Sequence, residues 1–528
     1  MTLNANEIFA EYKSGVEFKT ALGKRGMYEQ NRINERFYIG DQWYGAKCGN
    51  DRPLVRHNII KRIGDYKMSQ VLGNPASVEF SAEGVPQDNS ISISKENAFN
   101  GSLNETELLT KAFGKYFDTT AERLNFGALQ EKVLRNSYIS GTGVLYTYWD
   151  SNIETGLFAD DFKRVKIKGD ICCQVLDIED LYFGDPYNED LQRQPYIIIS
   201  STLDINAALR EARLYGADIK TLSAIEDAQS DGKITVLTKL FKEYTADGSY
   251  TIKCIRVCER AIIRPVFDTR LRLYPLSIFK WEHKNNCPYG ESEITYLIPN
   301  QIAINRMITA NVWSAMTTGM PIMLVNGDTV NDKITNEPGQ IIKIYGSNED
   351  VAGAVKYLTP PSFSEDYDKS INSLIENTLT QSGANEVALG DSRADNATAL
   401  MTMREAALKP LQIVKNRFYT FVEETARIWA EFWIMQYGNR KIKIRDDSGI
   451  WYLPFQSDKY KNLLINTKVE ITNDAVYTEK ERISTLLTLF DKGIINKAEL
   501  LSRLPDGVIT DRKSLLAKET EVENNDGE

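Results

Sequence analysis

The chain has 528 residues, of which 42% are hydrophobic and 26% charged, ordinary values for a globular protein with room for several domains. Its net charge of −10 speaks against a protein that grips DNA tightly, because phosphate neutralisation drives such binding, but leaves room for a channel through which DNA slides. No signal peptide is expected, and the longest apolar run, Val312 to Val325, is broken by Thr317-Thr318-Gly319 and too short to span a bilayer.

Residues 1–70 read as helical and mixed in charge. Arg32, Arg36, Phe37, Tyr38, Trp43 and Tyr44 crowd the stretch from Glu29 to Tyr44, and a helix from Ile59 to Leu72 is closed by Gly73-Asn74-Pro75. Arg52, Arg56, Lys61, Arg62 and Lys67 could meet phosphate; pairing with acids on a neighbouring element is the favoured reading. Val78 to Ser81 alternates like a strand, residues 84–104 form a polar loop, and helices follow from Glu105 to Thr119 and from Ala121 to Ile139. Ser140-Gly141-Thr142-Gly143 looks like a fragment of a nucleotide loop, but that motif needs a strand before it and a helix after. Here the order is reversed, so the glycines read as a helix cap and tight turn feeding a strand from Val144 to Trp149.

Val165 to Lys168 and Cys172 to Leu176 are strand-like. Asp177, Glu179, Asp180 and Asp185 beyond them could chelate a divalent cation, but without a fixed loop signature they read as a solvated strand-end cluster. Tyr196 to Ser200 is a strand and Asn206 to Tyr215 a short helix; Ile234 to Tyr244 and Tyr250 to Arg264 alternate around Asp247-Gly248, a hairpin signal, and Pro275 to Trp281 is one more strand. The six cysteines (Cys48, Cys172, Cys173, Cys254, Cys258 and Cys287) fit no zinc spacing with the only histidines, His57 and His283. They read as reduced, buried small hydrophobes of a cytosolic chain, with Cys254 and Cys258 on one face of a strand.

The stretch from Cys287 to Gly438 is the spine of the chain. Its first helix starts near Ser292, with Glu291 and Glu293 where the helix dipole favours negative charge, and ends by Gly319. Pro299 should kink or delay its first turns. Gln301, Asn305 and Thr309 fall inside the same arc as Ile308 and Val312. Polar residues within an apolar arc need partners, which suits a helix packed against several neighbours, including copies of itself. A β-rich insert follows from Pro321 to Leu358, with short runs Ile322–Val325, Gln340–Tyr345 and Ala354–Leu358 separated by turn signals such as Gly346-Ser347-Asn348.

The second helix opens with Ser362 and Glu365 at capping-box spacing and carries a stripe of Tyr367, Ile371, Leu374, Ile375, Thr378 and Leu379. Ser382 to Asn396 reads as a polar loop. A third helix, capped by Asp395 or Asn396, runs to Tyr437; about 40 helical residues would span about 60 Å. Its apolar residues repeat at spacings of four and three, and Pro410 should bend it. From Glu291 to Ser382 there are 11 acidic and 5 basic residues; an ordinary solvated acidic face explains this as well as a functional one. Lys441–Ile444, Ile450–Leu453 and Lys468–Ile471 should be strands that rejoin the N-terminal body. Three short helices close the chain: one with Ile483, Leu486, Leu487 and Phe490, one from Lys497 to Leu504, and one after Thr510. The tail from Glu519 to Glu528 is acidic and expected to be disordered.

Arg36-Phe37-Tyr38-Ile39-Gly40 with Trp43, then Arg52-Pro53 and Asn58, resembles the N-terminal region of the portal proteins of tailed bacteriophages. Gly290, Ser292, Gln301 and Asn305-Arg306 resemble the start of the portal stem, and Gly493-Ile494-Ile495 with Glu499 the crown. The resemblance covers nearly the whole chain and rests on element order more than on any one motif. It implies a multidomain α+β fold: a wing (1–286), stem helix one (287–319), a clip (320–360), stem helix two (361–382), a tunnel loop (383–396), a long wing or tunnel helix (397–438), wing-closing strands (439–475) and a short helical crown with acidic tail (476–528).

The family implies a homo-oligomeric ring, usually of twelve subunits, at one capsid vertex, assembled in the host cytoplasm and carried in the virion. Double-stranded DNA passes through it without sequence preference. The resemblance implies a subunit interface at Gln301, Asn305, Ile308, Thr309 and Val312. It implies docking of the terminase large subunit, and later of head-completion or adaptor proteins, at Asn331, Asp332, Lys333, Ser347, Asn348, Glu349 and Asp350. It implies a channel loop with Asn385, Glu386, Asp391, Ser392, Arg393, Asp395 and Asn396. Major capsid and scaffolding proteins are further implied partners, with no membrane, cofactor, metal or catalysis. Two other classes stay open: a cytosolic oligomeric scaffold with a helical arm, and an enzyme whose acid–base work would rest on carboxylates alone.

Overall fold

The computed structural model describes residues 4–46, 53–73, 76–83, 105–158, 166–318, 322–325, 355–358, 365–384, 409–446, 449–456, 460–461, 464–471 and 479–504. Within them the fold is mixed α+β. Helices α1 (Ala5–Ala21), α2 (Met27–Ile39) and α3 (Ile59–Leu72) lead into strand β1 (Ala76–Glu83). Helices α4 (Glu105–Leu124) and α5 (Phe126–Ser140) follow, broken at Asn125, which takes the left-handed conformation at φ 49° that asparagine tolerates.

Strands β2 (Thr142–Phe158) and β3 (Lys166–Leu176) pair with β9 (Leu276–Lys280) in a three-stranded antiparallel sheet of order β3-β2-β9. Between β3 and β9 the chain forms a five-stranded meander of β4 (Leu181–Phe183), β5 (Tyr196–Asp204), β6 (Lys233–Tyr244), β7 (Tyr250–Val257) and β8 (Ile262–Asp268). Helices α6 (Ile205–Leu214) and α7 (Ile219–Asp227) lie between β5 and β6. The run from Tyr250 to Arg264 is thus two strands, not one. Exposed Glu259 and Arg260 cannot be buried in a sheet, and the chain turns there, with Cys258 N–H donating to Ala261 O at 2.8 Å. Cys254 and Cys258 are both buried, and burial pushes the Cys254 thiol up to about 12.

The remaining elements are α8 (Glu293–Thr318), β10 (Ile322–Val325), β11 (Val355–Leu358), α9 (Glu365–Gln381), α10 (Gln412–Gln436), β12 (Asn439–Asp446), β13 (Gly449–Gln456), β14 (Leu464–Ile471), α11 (Glu479–Asp491) and α12 (Lys497–Arg503). β14 pairs antiparallel with β1, from Ala76 opposite Ile471 to Glu83 opposite Leu464, so of the three strands expected to rejoin the N-terminal body this one pairs with it. β12 and β13 pair with each other.

The core is organised around α10. Its apolar seam is buried, and so are Val422, Ala426, Trp429 and Trp433 on other sides of the helix. A helix apolar nearly all round belongs in an interior. Trp429 packs on Phe117 and Phe126 with ring centroids 5.1 Å apart, Trp433 on Phe113 at 5.4 Å, and Phe418 edge-on to Phe279 at 5.8 Å. Pro410 lies in a single 3-10 turn, Lys409–Leu411, directly before the helix, where its missing N–H costs nothing. The expected stretch of this helix before residue 409 lies outside the described residues. So do the strand at 340–345, the Ser362 half of the capping box, the helix after Thr510 and the acidic tail.

Candidate functional site

The root of α8 is fixed by contacts from four separate segments. Gly141 and Gly290 meet backbone to backbone: a side chain on Gly141 would come within 2.5 Å of Gly290 O, and one on Gly290 within 2.4 Å of Gly141 O. Gly141 also has φ 83° and caps α5, so glycine is required there twice over. Gly290 N–H donates to Thr142 Oγ1 at 2.8 Å. Ser292 is buried, donates to Tyr138 O at 2.6 Å and accepts from Ile294 N–H at 3.1 Å.

Glu293 does not simply face the helix dipole, as its position suggests. Its carboxylate pairs with Lys67 of α3 at 2.6 Å and accepts from Trp281 Nε1 at 3.0 Å. Lys67 thereby finds an acid on a neighbouring element. Asn34 of α2 donates to Ile139 O at 2.9 Å and to Thr295 Oγ1 at 3.2 Å.

The next turns of α8 correct one expectation. Gln301, Asn305 and Thr309 do not need a second copy of the chain. Gln301 and Asn305 are 2% and 3% exposed, and their partners lie in the segment before α3. Gln301 Oε1 accepts from Ile59 N–H at 3.0 Å, and its Nε2 donates to His57 O at 2.6 Å and Asn305 Oδ1 at 3.0 Å. Asn305 Oδ1 accepts from His57 N–H at 3.0 Å, and Thr309 Oγ1 from Val55 N–H at 3.1 Å. An extended segment, residues 53–58, has no helix or sheet to satisfy its backbone, and these three side chains do so instead. Ile308 and Val312 are half-buried on the same helix.

α9 runs antiparallel beside α8: Asn300 Nδ2 donates to Thr378 Oγ1 at 3.2 Å near one end, and Asn311 Nδ2 to Asp368 Oδ1 at 2.6 Å near the other. Ile371, Thr378 and Leu379 are buried, while Asp368, Lys369, Asn372, Glu376 and Asn377 are exposed, the half-wet face the stripe predicts. Pro299 sits inside α8 without ending it.

The two helices form a stalk. At the far end β10 pairs antiparallel with β11, and Val325 lies opposite Val355. At the root, Gly383 takes φ 76° and ends α9, with Ala384 N–H donating to Leu379 O at 3.0 Å. A side chain on Gly383 would lie 3.5 Å from Pro410 Cβ, so the end of α9 lies beside the turn that leads into α10. The docking residues Asn331, Asp332, Lys333, Ser347, Asn348, Glu349 and Asp350 come between β10 and β11 in sequence and lie outside the described residues. Asn385, Glu386, Asp391, Ser392, Arg393, Asp395 and Asn396 come between α9 and α10 and lie outside them too.

The acidic residues after β3 are engaged within the chain. Asp177 accepts from Glu179 N–H at 3.0 Å, Glu179 from Asn31 at 3.1 Å, Asp180 from Ser200 at 2.8 Å and Asp185 from Tyr187 N–H at 3.0 Å. A fully buried amine completes the cluster: Lys19 of α1 donates to Ile178 O at 2.7 Å and Glu179 O at 2.8 Å and lies 3.8 Å from the Tyr182 ring centroid. Burial holds its pKa down to about 7 against the pull of Asp180, Glu179 and Asp177. No group of three or more His, Cys, Asp or Glu among the described residues is placed to hold a metal ion. No helix among them is long and apolar enough to cross a membrane.

Sequence reasoning missed Lys19 and the Lys67–Glu293 pair. Their partners lie about 160 and 226 residues away, and no local spacing signals them.

No protein-family model and no curated protein matches the chain. Among solved structures the chain is similar to one described as the neck of an empty GTA particle computed with C6 symmetry, at 10% identity and a TM-score of 0.35, over 93% of this chain and 98% of that one. A likeness of that size carries no argument about function.

Proposed function

We propose that the chain is the portal subunit of a tailed phage or a similar particle. Copies form a ring, of twelve by the family resemblance, around a channel at one capsid vertex, and double-stranded DNA passes through it. One observation carries this reading: an antiparallel two-helix stalk bolted to an α+β body, with β10 paired to β11 at one end and the turn that leads into α10 at the other. It supports the stem arrangement the resemblance implies, in which a clip lies at one end and a tunnel loop at the other.

In this reading residues 320–360 dock the terminase large subunit and later the head-completion protein. The loop at 383–396 lines the channel, and its Glu386, Asp391 and Asp395 keep DNA from sticking, since attraction grows with the phosphates neutralised. The chain performs no chemistry of its own; the motor's ATP hydrolysis belongs to another protein.

Negative-stain microscopy of the purified chain tests the reading. Rings with a central hole and countable symmetry are expected; compact monomers at micromolar concentration would overturn it. Within the reading, Glu386→Lys with Asp391→Lys should slow packaging and leave ring assembly unharmed. Packaging at the normal rate would remove the loop from the channel.

A further inference from the structure

A groove runs along α10, made of two contiguous cavities of about 450 and 330 Å³ that share Leu273 and Arg427. From Arg417 to Met435 it follows 19 residues of helix, about 27 Å from first to last. That is too long for a small molecule and suits an extended polypeptide.

Five cations line it: Lys280, Arg417 and Arg427 in the larger cavity, Arg272 and Lys461 in the smaller. Of the four lining acids, three are held by donors of the chain itself. Glu431 accepts from the backbone N–H of Arg272 and Leu273, Glu189 from Asn286 N–H at 2.6 Å, and Asp190 from Gln192 N–H at 2.9 Å. The fourth, Glu424, is largely buried, and burial pushes its carboxyl up to about 7, as it does that of Glu431. By formal charge the wall holds five cations against four acids, although Arg417, Arg272 and Lys280 also donate to Trp281 O, Lys461 O and Cys287 O. On a chain of net charge −10, this wall is complementary to acidic polypeptide.

We propose that the acidic C-terminal stretch of the chain, residues 519–528, docks in this groove. It carries Glu519, Glu521, Glu523, Asp526 and Glu528 and no lysine or arginine, with Val522 to meet the apolar wall of Leu273 and Phe421. The 24 residues from 505 to 528 can reach about 80 Å when extended, more than the length of the groove. A segment of the same chain needs less intrinsic affinity than a free peptide wherever its linker reaches the site. The contact stands whether or not copies of the chain form a ring.

The test uses full-length protein and a labelled synthetic peptide of residues 519–528, read by fluorescence anisotropy at low salt. In one variant the stretch is neutralised by Glu519→Gln, Glu521→Gln, Glu523→Gln, Asp526→Asn and Glu528→Gln, which leaves the groove open. That variant should bind the peptide at least tenfold more tightly than the native chain, whose own tail competes. Adding Arg427→Glu, an exposed position, should cut binding tenfold or more, and 0.5 M salt should abolish it. Equal binding by native and neutralised chains overturns the proposal, as does binding indifferent to Arg427→Glu. Equal binding of a scrambled acidic peptide would also overturn it, assigning the groove to an acidic partner instead of this segment.

Discussion

Gln301 Oε1 accepts the backbone N–H of Ile59 at 3.0 Å across 242 residues of sequence. A side chain of the stalk thereby caps the first turn of a helix in the body. The first N–H groups of a helix have no partner inside it. In α3, Asn58 takes that of Lys61 at 3.2 Å, and Gln301 takes those of Ile59 and, at 3.4 Å, Ile60. Stalk and body are thus joined by hydrogen bonds as well as by apolar packing.

Gln301→Leu fills a similar volume but removes the acceptor for these N–H groups; Ile59 N–H keeps a second acceptor in His57 O at 2.9 Å, so Ile60 N–H is the group left unpaired. Each buried backbone group left unpaired costs roughly 1–3 kcal/mol. The unfolding free energy from urea titration should fall by about 1–3 kcal/mol. A loss below about 1 kcal/mol would mean that the capping bonds contribute little to the joint.

Some of this is legible in the sequence. Ile59–Leu72 is readable to the residue because Gly73-Asn74-Pro75 closes it; the cap at Asn58 shows only in the structure. Gln301, Asn305 and Thr309 are readable as polar groups in need of partners. Which partners they find is not readable: they hold residues 53–60, an extended stretch whose need for side-chain acceptors shows only once it lies against α8. The turn at Cys258–Ala261 carries no glycine or proline, so periodicity alone joins β7 to β8. α7 escapes notice because it is short and buries only Ile225 fully; its signal is the cap at Asp218, which accepts from Thr221 N–H at 2.8 Å.

Lys67 and Glu293 form a nearly buried pair, their side chains 10% and 14% exposed. Removing one partner strands a charge, whereas replacing both by apolar groups of like size removes the desolvation cost as well. Lys67→Met should therefore cost about 3–5 kcal/mol. Lys67→Met with Glu293→Leu should recover at least half of that, less what is lost with the Trp281 Nε1 bond. A double variant as unstable as the sum of the two singles would show that the pair is not coupled.

Glu424 and Glu431 make stability depend on pH in a definite direction. Both carboxyls are pushed up to about 7 by burial, against about 4.3 in an unfolded chain. Between these values the folded chain holds protons that the unfolded chain has released, so stability falls as pH rises through that window and levels off above it. Lys19, held down to about 7, acts with opposite sign, raising stability with pH from about 7 towards its unfolded value. Melting temperature measured from pH 5 to 7 excludes Lys19 but reads the two glutamates together with Glu179, raised by burial and of the same sign, and His283, lowered by burial and of opposite sign. It should drop across that range, and Glu424→Gln with Glu431→Gln should flatten the drop by half or more. An unchanged slope in the double variant would assign the dependence to other groups.

With Gln301, Asn305 and Thr309 engaged by residues 53–60, the last turns of α8 present apolar residues beyond the exposed Arg306. Ile308 and Val312 are half-buried, and Met316 beyond them is 54% exposed. Ile308 packs partly against the core cluster, whereas Val312 does not belong to it, so the two positions test different things. Ile308→Asp should lower the stability of the subunit itself by about 1–3 kcal/mol, through burial of a charge on the core side. Val312→Asp should change subunit stability by less than about 1 kcal/mol, as substitutions away from the core do. In a ring whose stem helices touch, Val312→Asp would bury an unpaired charge and shift the chain from rings to free subunits. Size-exclusion chromatography with light scattering reads the assembly, and urea titration reads the fold. Rings that persist with Val312→Asp would take the stem face out of the subunit interface and leave assembly to the body.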